Sequence, residues 1–310
     1  GSGLEGLAGI PALRALGSGW VARPLLDCRR ADLVGFLDRR GIGWLEDPSN
    51  ADTVFDRNFL RNELFPQLEQ RWPGTTQRLS RTARNARISA GALAAFIERQ
   101  SGDLLKDRIR MPVRGLLEFD KDMQSLVLRQ WLRRHEVPPL PASRLEEFLE
   151  QLCVAQPGTY AEVQWANWMI KRYRHEIWLH RREPYRPCAE QSWKGRMQIE
   201  LGRDAGSYRL AGQASGPPSG WKVGPRVEGA RIRLVEGGPS RKIKHFFQAA
   251  SIPPWLRLGI PVLYWDDEPV ALGDWVIAHR LQLWLAENDL EIEWKPADSV
   301  LSRVRRDCQQ

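Results

Sequence analysis

Apolar residues recur at a helical period in three separate stretches of the chain. Ala86, Ala90, Leu93 and Ile97 form one stripe, Met123, Leu126, Val127 and Trp131 a second, and Leu145, Phe148, Leu149 and Leu152 a third. A period near 3.6 residues predicts amphipathic helices that bury one face each, and together a small helical domain. Upstream, Leu33, Phe36 and Leu37 stand at i, i+3, i+4 with Gly41 as the stop, which predicts a further helix. The β-type run Trp20-Val21-Ala22 precedes it, so segment 1–64 reads as the tail of an α/β unit. Another helix is predicted from Asp56 as N-cap, with Leu60, Leu64 and Leu68 on one face and Pro66 placed to kink or end it.

Past Pro157-Gly158 the pattern changes to strand, and Trp168 to Trp178 predicts a hairpin turning near His175-Glu176. The stretch 183–230, with Gly216-Pro217-Pro218-Ser219-Gly220 at its middle, reads as a linker plus short strands. From Arg231 onward the order is a strand, a helix at 240–250, and β-rich sequence at Val262-Leu263-Tyr264-Trp265 and Val270-Ala271-Leu272. The chain therefore reads as α+β and multidomain. Its expected parts are 1–70, the end of an α/β domain; 71–185, mainly helical with a β-hairpin; and 186–310, a small α+β domain. It carries no internal repeat.

Composition narrows this picture. With 42% hydrophobic and 27% charged residues the chain can bury an ordinary core and does not belong with disordered sequences. Lys plus Arg exceed Asp plus Glu by 46 to 38, a net +8 that favours a polyanionic partner. Cys28, Cys153, Cys188 and Cys308 form no C-x-x-C pair and have no His at metal spacing. They read as free thiols of a reducing, cytoplasmic compartment, with no metal site. No apolar run approaches the roughly 18 residues of a membrane span. The start at Gly1-Ser2-Gly3, without methionine, reads as a cut end.

Four clusters could carry chemistry. Trp44-Leu45-Glu46-Asp47-Pro48-Ser49-Asn50 feeds a helix opening with Arg57, Asn58 and Arg61. That places donors where backbone N–H groups are also free, which suits a phosphate or, equally, a capped turn with solvated arginines. Arg78, Arg81, Arg84 and Arg87 recur every third residue with no acid between Glu69 and Glu98, a basic ridge that could follow an RNA backbone or simply face water. In the hairpin, Arg172 and Arg174 interleave with Tyr173 and Trp178, a mix suited to unpaired nucleotides or to ordinary strand alternation. At 240–250, Ile243, Phe246, Phe247 and Ala250 form a buried stripe, while Arg241, Lys242 and Lys244 crowd a helix start where cations oppose the dipole. An anion there would relieve the conflict. His135 and His279 read as ordinary histidines.

The stretch Trp44-x-Glu46-Asp47-Pro48-Ser49-Asn50 with Arg57-Asn58-x-x-Arg61 resembles the end of the catalytic domain of tRNA(Ile)-lysidine synthetases. The opening Gly1-Ser2-Gly3-Leu4-Glu5-Gly6-Leu7 and Arg23-Pro24-Leu25-Leu26 are similar to the same region. Far downstream, Ser240-Arg241-Lys242-Ile243-Lys244, Ile252-Pro253-Pro254-Trp255-Leu256-Arg257 and Ile260-Pro261-Val262-Leu263 resemble that family's C-terminal region. The resemblance implies that 1–70 is the remnant of an α/β ATP-pyrophosphatase domain. It implies a ligase that joins lysine to C2 of the wobble cytidine in a CAU-anticodon isoleucine tRNA, with ATP going to AMP and pyrophosphate and Mg2+ assisting. Arg57, Asn58 and Arg61 would edge the active site. Arg78, Arg81, Arg84, Arg87, Arg172, Arg174, Arg241, Lys242, Lys244 and Arg257 would meet the tRNA. A homodimer stays open.

The family's Ser-Gly-Gly-x-Asp-Ser loop, which cradles the pyrophosphate of ATP, does not occur in these residues. ATP and Mg2+ would be bound mainly by a part not present here, and this chain is expected to supply tRNA recognition and to be inactive alone. Two other classes stay open: a non-catalytic RNA-binding or assembly module, and a tRNA-thiolating enzyme, for which Cys28 and Cys153 lack a supporting motif.

Overall fold

The computed structural model describes residues 3–17, 19–135, 137–154, 161–212 and 216–309. Gly1-Ser2 and the Pro157-Gly158 break lie outside them. The chain is an α+β multidomain protein with two compact units, 1–101 and 102–310. None of the described helices is long and apolar enough to cross a membrane.

In the first unit, short elements end on hydrogen-bonded caps. An antiparallel hairpin pairs Leu13–Leu16 with Gly19–Ala22. The helix Arg30–Arg39 stops where expected: Gly41 has φ +66°, its N–H meets the Asp38 carbonyl at 3.1 Å, and the Ile42 N–H meets Leu37 at 3.1 Å. This paired closure satisfies two carbonyls that the helix end would otherwise orphan. Further on, Phe55 rather than Asp56 is the N-cap, and Asp56 opens the first turn.

Pro66 neither ends nor breaks that helix. Asp56–Phe59 passes through a π turn, Leu60–Leu64, directly into Phe65–Arg71. The wider turn accommodates a residue that lacks an N–H and crowds the preceding carbonyl. Leu60 and Leu64 stay exposed rather than forming a buried face. The long helix Thr75–Ser101 follows. Glu69 covers its start, accepting from the N–H groups of Gly74 at 2.8 Å and Thr76 at 3.1 Å. The bond from Thr76, then that from Gly74, hold this carboxyl below its ordinary pKa.

The second unit opens with helices on a four-stranded antiparallel sheet. The sheet order is Arg110–Pro112, Glu176–Arg181, Trp168–Tyr173, Glu162–Trp165. Helix Ala142–Val154 buries Leu145, Phe148, Leu149 and Leu152, as the pattern predicts. Helix Lys121–Arg133 is rotated from its predicted stripe: it buries Gln124, Val127, Leu128, Trp131 and Leu132, leaving Met123 and Leu126 half-buried. Polar anchors set that rotation. The Trp131 indole N–H donates to the Asp107 carbonyl at 2.8 Å, and the Gln124 amide to Phe119 at 2.7 Å. The hairpin turns at Arg174-His175, with Arg174 at φ +54°, one residue earlier than predicted.

Residues 183–230 are not a linker. Trp193, Leu201, Ala205, Tyr208, Leu210, Trp221 and Val223 belong to the main core, alongside Phe247, Val262, Leu263 and Trp294. A five-stranded antiparallel sheet contains Trp221–Gly224 and Val262–Trp265, and a three-stranded sheet pairs Ser207–Gly212 with Leu290–Lys295. The glycines here are corners of that core. Gly206 has φ +79°, and a Cβ on it would sit 1.9 Å from the Lys295 carbonyl, so no other residue fits. The expected helix at 240–250 is shorter, Ile243–Ala249, and Arg241–Lys242 form a strand paired with Arg231–Ile232.

Candidate nucleic-acid interface

The loop at 46–52 is built by two asparagines. Asn58 is buried and its amide donates to the carbonyls of Ser49 at 2.8 Å and Asp52 at 2.9 Å. Asn62, one turn on, donates to Asn50 at 3.1 Å. Asp47 accepts from the Ser49 N–H at 2.9 Å, which lowers its pKa, and Arg30 reaches Glu46 at 3.1 Å. With Asn58 and Asn62 at i, i+4 tying down the loop, Arg57 and Arg61 at the same spacing occupy the neighbouring face. Both are exposed, with no hydrogen-bond or ion-pair partner among the described residues. Asn58 therefore positions the loop, and its amide hydrogens are not available to a ligand. Asn62 escaped the sequence reading, although its spacing from Asn58 was there to be read.

The basic ridge divides. A step of three advances 300° around a helix, so each arginine falls about 60° behind the last and the first and fourth face opposite ways. Arg78 folds back onto the Trp72 carbonyl and Thr75 hydroxyl, at 3.3 Å each. Arg87 donates to the carbonyls of Ala8 at 3.0 Å and Ile10 at 3.3 Å. Both hold the first unit together. Arg81 and Arg84 remain exposed and without a partner among the described residues.

The hairpin arginines are also engaged. Arg172 donates to Arg174 and Leu152 carbonyls, at 3.1 and 3.3 Å. Arg174 reaches the Ser251 hydroxyl at 2.5 Å and the Gln248 carbonyl at 3.2 Å, at the end of helix Ile243–Ala249, where a cation suits the dipole. Trp178 is buried, and His180 is buried and stacked 5.3 Å from Trp255. The interleaved aromatics are thus core, not a stacking platform. Arg257 closes on the Ile252 carbonyl at 2.8 and 3.0 Å and lies 5.5 Å from the Phe247 ring. These arginines brace the hairpin against the C-terminal domain.

Arg241, Lys242 and Lys244 differ. All three are exposed and lack a partner among the described residues. Arg241 and Lys242 precede the helix, so only Lys242 as N-cap and Lys244 inside the first turn oppose its dipole. Ile243 and Phe247 are buried, Phe246 is half-buried and Ala250 is an exposed C-cap. Arg231, directly opposite Lys242, is held by Ser240.

Among the described residues no group of three or more His, Cys, Asp or Glu could hold a metal, and the Ser-Gly-Gly-x-Asp-Ser string is absent from all 310 residues. Without that string these residues lack the loop that would cradle the pyrophosphate of ATP. All four cysteines are free. Burial raises the thiol pKa of Cys188, and that of Cys308 to about 12, so both stay protonated and unreactive.

Comparison with known families gives three matches in chain order: a PP-loop domain over 1–68, a TilS substrate binding domain over 111–178, and a TilS substrate C-terminal domain over 222–294. The chain is 33% identical to a tRNA(Ile)-lysidine synthase of Xanthomonas axonopodis pv. citri, covering 96% of this chain and 68% of that protein. It is 32% identical to the enzyme of that name from Xylella fastidiosa, over 94% of this chain and 68% of the relative. It is 34% identical to one from Alkalilimnicola ehrlichii, over 90% and 64% respectively.

Proposed function

The chain belongs to the tRNA(Ile)-lysidine synthase family, and on that premise we propose that these residues are chiefly its tRNA-holding apparatus. The family is one of tRNA-modifying ligases with a PP-loop domain that uses ATP. The reaction served is the joining of lysine to C2 of the wobble cytidine in a CAU-anticodon isoleucine tRNA, in the cytosol, with ATP converted to AMP and pyrophosphate. Functionally the chain keeps three parts, 1–70, 71–185 and 186–310, a division supported by where the three family matches fall.

The observation that carries this reading is a partition of the cations. Arg78, Arg87, Arg172, Arg174 and Arg257 are spent on carbonyls and hydroxyls of the protein itself. Arg81, Arg84, Arg241, Lys242 and Lys244 are exposed and have no partner among the described residues. Exposed charge without partners attracts phosphate through counterion release, whatever the base sequence. Arg57 and Arg61, on the helical segment whose Asn58 and Asn62 clamp the 46–52 loop, would meet phosphate at the edge of the active site.

Incorporation of radiolabelled lysine into the isoleucine tRNA tests the division of labour. These 310 residues with ATP and Mg2+ should give no lysidine, because no loop here cradles pyrophosphate. Measurable turnover would overturn the assignment of these residues to holding rather than chemistry.

A further inference from the structure

The second unit contains a cleft of roughly 1050 Å³ that the family reading leaves unused. Its walls come from the start of the sheet region, from Arg134 and His135 after helix Lys121–Arg133, and from the helix Ser299–Gln309. We propose that this cleft takes unpaired nucleotides of an RNA, with Arg108 and Arg306 on the phosphates and Trp168 as the wall against a base. The proposal rests on the tRNA-holding reading and gives it a second, structurally distinct mode of contact.

Charge is the first support. The acids in and beside the cleft are already paired: Arg110 bridges Asp107 at 3.2 Å, Glu176 at 3.6 Å and the adjacent Asp307 at 2.9 Å, and Arg303 bridges Asp107 at 3.2 Å and Asp307 at 3.3 Å. Asp103 pairs with Lys106 at 2.6 Å. Arg108 and Arg306 line the same space, are exposed, and have no partner among the described residues. The wall thus carries positive charge that no partner among the described residues answers.

His135 lines the same cleft and lies in that field. Burial first, then the nearby Arg108, push its pKa down to about 4, so the imidazole is neutral at pH 7. An anion held between Arg108 and Arg306 would oppose the second of these effects and raise the pKa.

Size and shape choose between kinds of RNA. An open cleft of roughly 1050 Å³ lies just above the usual range of ligand pockets, about 300–1,000 Å³, and so has room for a few nucleotides but not for a duplex. Half-buried Trp168 lines it, with the Arg181 guanidinium 6.0 Å from its ring, and a base stacking there would add to that contact without regard to sequence.

The test uses the full chain, labelled so that its five histidines can be titrated individually by NMR. The probe is an unstructured oligouridine of about a dozen nucleotides. The expected result is binding that raises the His135 pKa. Arg108→Ala with Arg306→Ala should weaken that binding about tenfold or more and abolish the shift, with an unchanged melting curve because neither side chain has a partner. Trp168→Ala should cost about fivefold or more. The proposal is overturned if the double variant binds oligouridine as well as the parent, or if polyglutamate or an RNA duplex moves His135 equally. In either case tRNA binding that keeps its salt dependence would leave the tRNA-holding reading intact.

Discussion

Residues 3–72 and residues 183–309 have similar apolar content to work with, yet they use it differently. Among the described residues of the first stretch only Ala8 and Asn58 are buried, and Trp20, Trp44 and Trp72 are exposed at 71%, 41% and 55%. In the second, Trp193, Trp221 and Trp294 are fully buried and ring contacts join them to Tyr208, Trp265, Trp275 and Trp284. Local hydrogen bonds define the first region: the helix stop at Gly41, the asparagine clamp and the Glu69 cap. Packing defines the second. Apolar surface left open on such a scale marks a face made for contact, so the first region offers a contact face while the second supplies stability.

Removing core volume should separate the two most sharply. Trp221→Ala empties a site ringed by Trp193 at 5.4 Å and Trp284 at 5.1 Å. It should cost about 3–5 kcal/mol in denaturant melts. Next comes Arg305→Ala. Asp274, 2% exposed, accepts from both the Arg305 Nε at 2.7 Å and Nη2 at 2.6 Å, and from the Trp294 N–H at 3.1 Å. Stripping the cation from this buried carboxylate should cost about 3 kcal/mol, and a loss well under 1 kcal/mol would show that water replaces it.

His135 gives the comparison a pH axis. Its pKa falls from 6.5 unfolded to about 4 folded, so the unfolded chain binds the extra proton. The stabilisation is complete above pH 6.5 and is lost as pH falls towards 4. His135→Phe should remove about 1–3 kcal/mol of acid sensitivity in that window, read as the difference between the two melting profiles. A parallel pair of profiles would contradict it.

Smaller effects belong to the first region. Asn58→Ala should cost about 1–2 kcal/mol locally through the freed Ser49 and Asp52 carbonyls, seen as faster amide exchange at 47–58 without a shift in the main transition. Trp20→Ala should stay within about 0.5 kcal/mol of the parent.

Much of this was legible in the sequence where one local rule decides. Gly41 and the Ala142–Val154 stripe follow from spacing alone. The rest depended on distant partners. Gly and Pro at 183–230 look like a linker because strands as short as Gln191–Ser192 and Gln198–Glu200 show no period, and only the fold reveals their tryptophans as core. The arginines were visible as charge, but which were free was not. Arg257 is engaged because Ile252 turns back beneath it, and Arg174 because helix Ile243–Ala249 ends at its side. The cleft at Arg108 and Arg306 joins residues that are far apart along the chain and form no motif.

The central claim is that exposed, unpartnered cations hold tRNA while the others hold the protein. Filter binding of isoleucine tRNA across a salt series measures it directly. The parent should lose affinity linearly on logarithmic axes. Replacing Arg241, Lys242 and Lys244 together by Ala should flatten the slope by roughly two to three phosphate contacts and leave the melting temperature unchanged or slightly raised. Unchanged affinity and slope, with a melting temperature several degrees lower, would contradict the account: those cations would then be serving the fold.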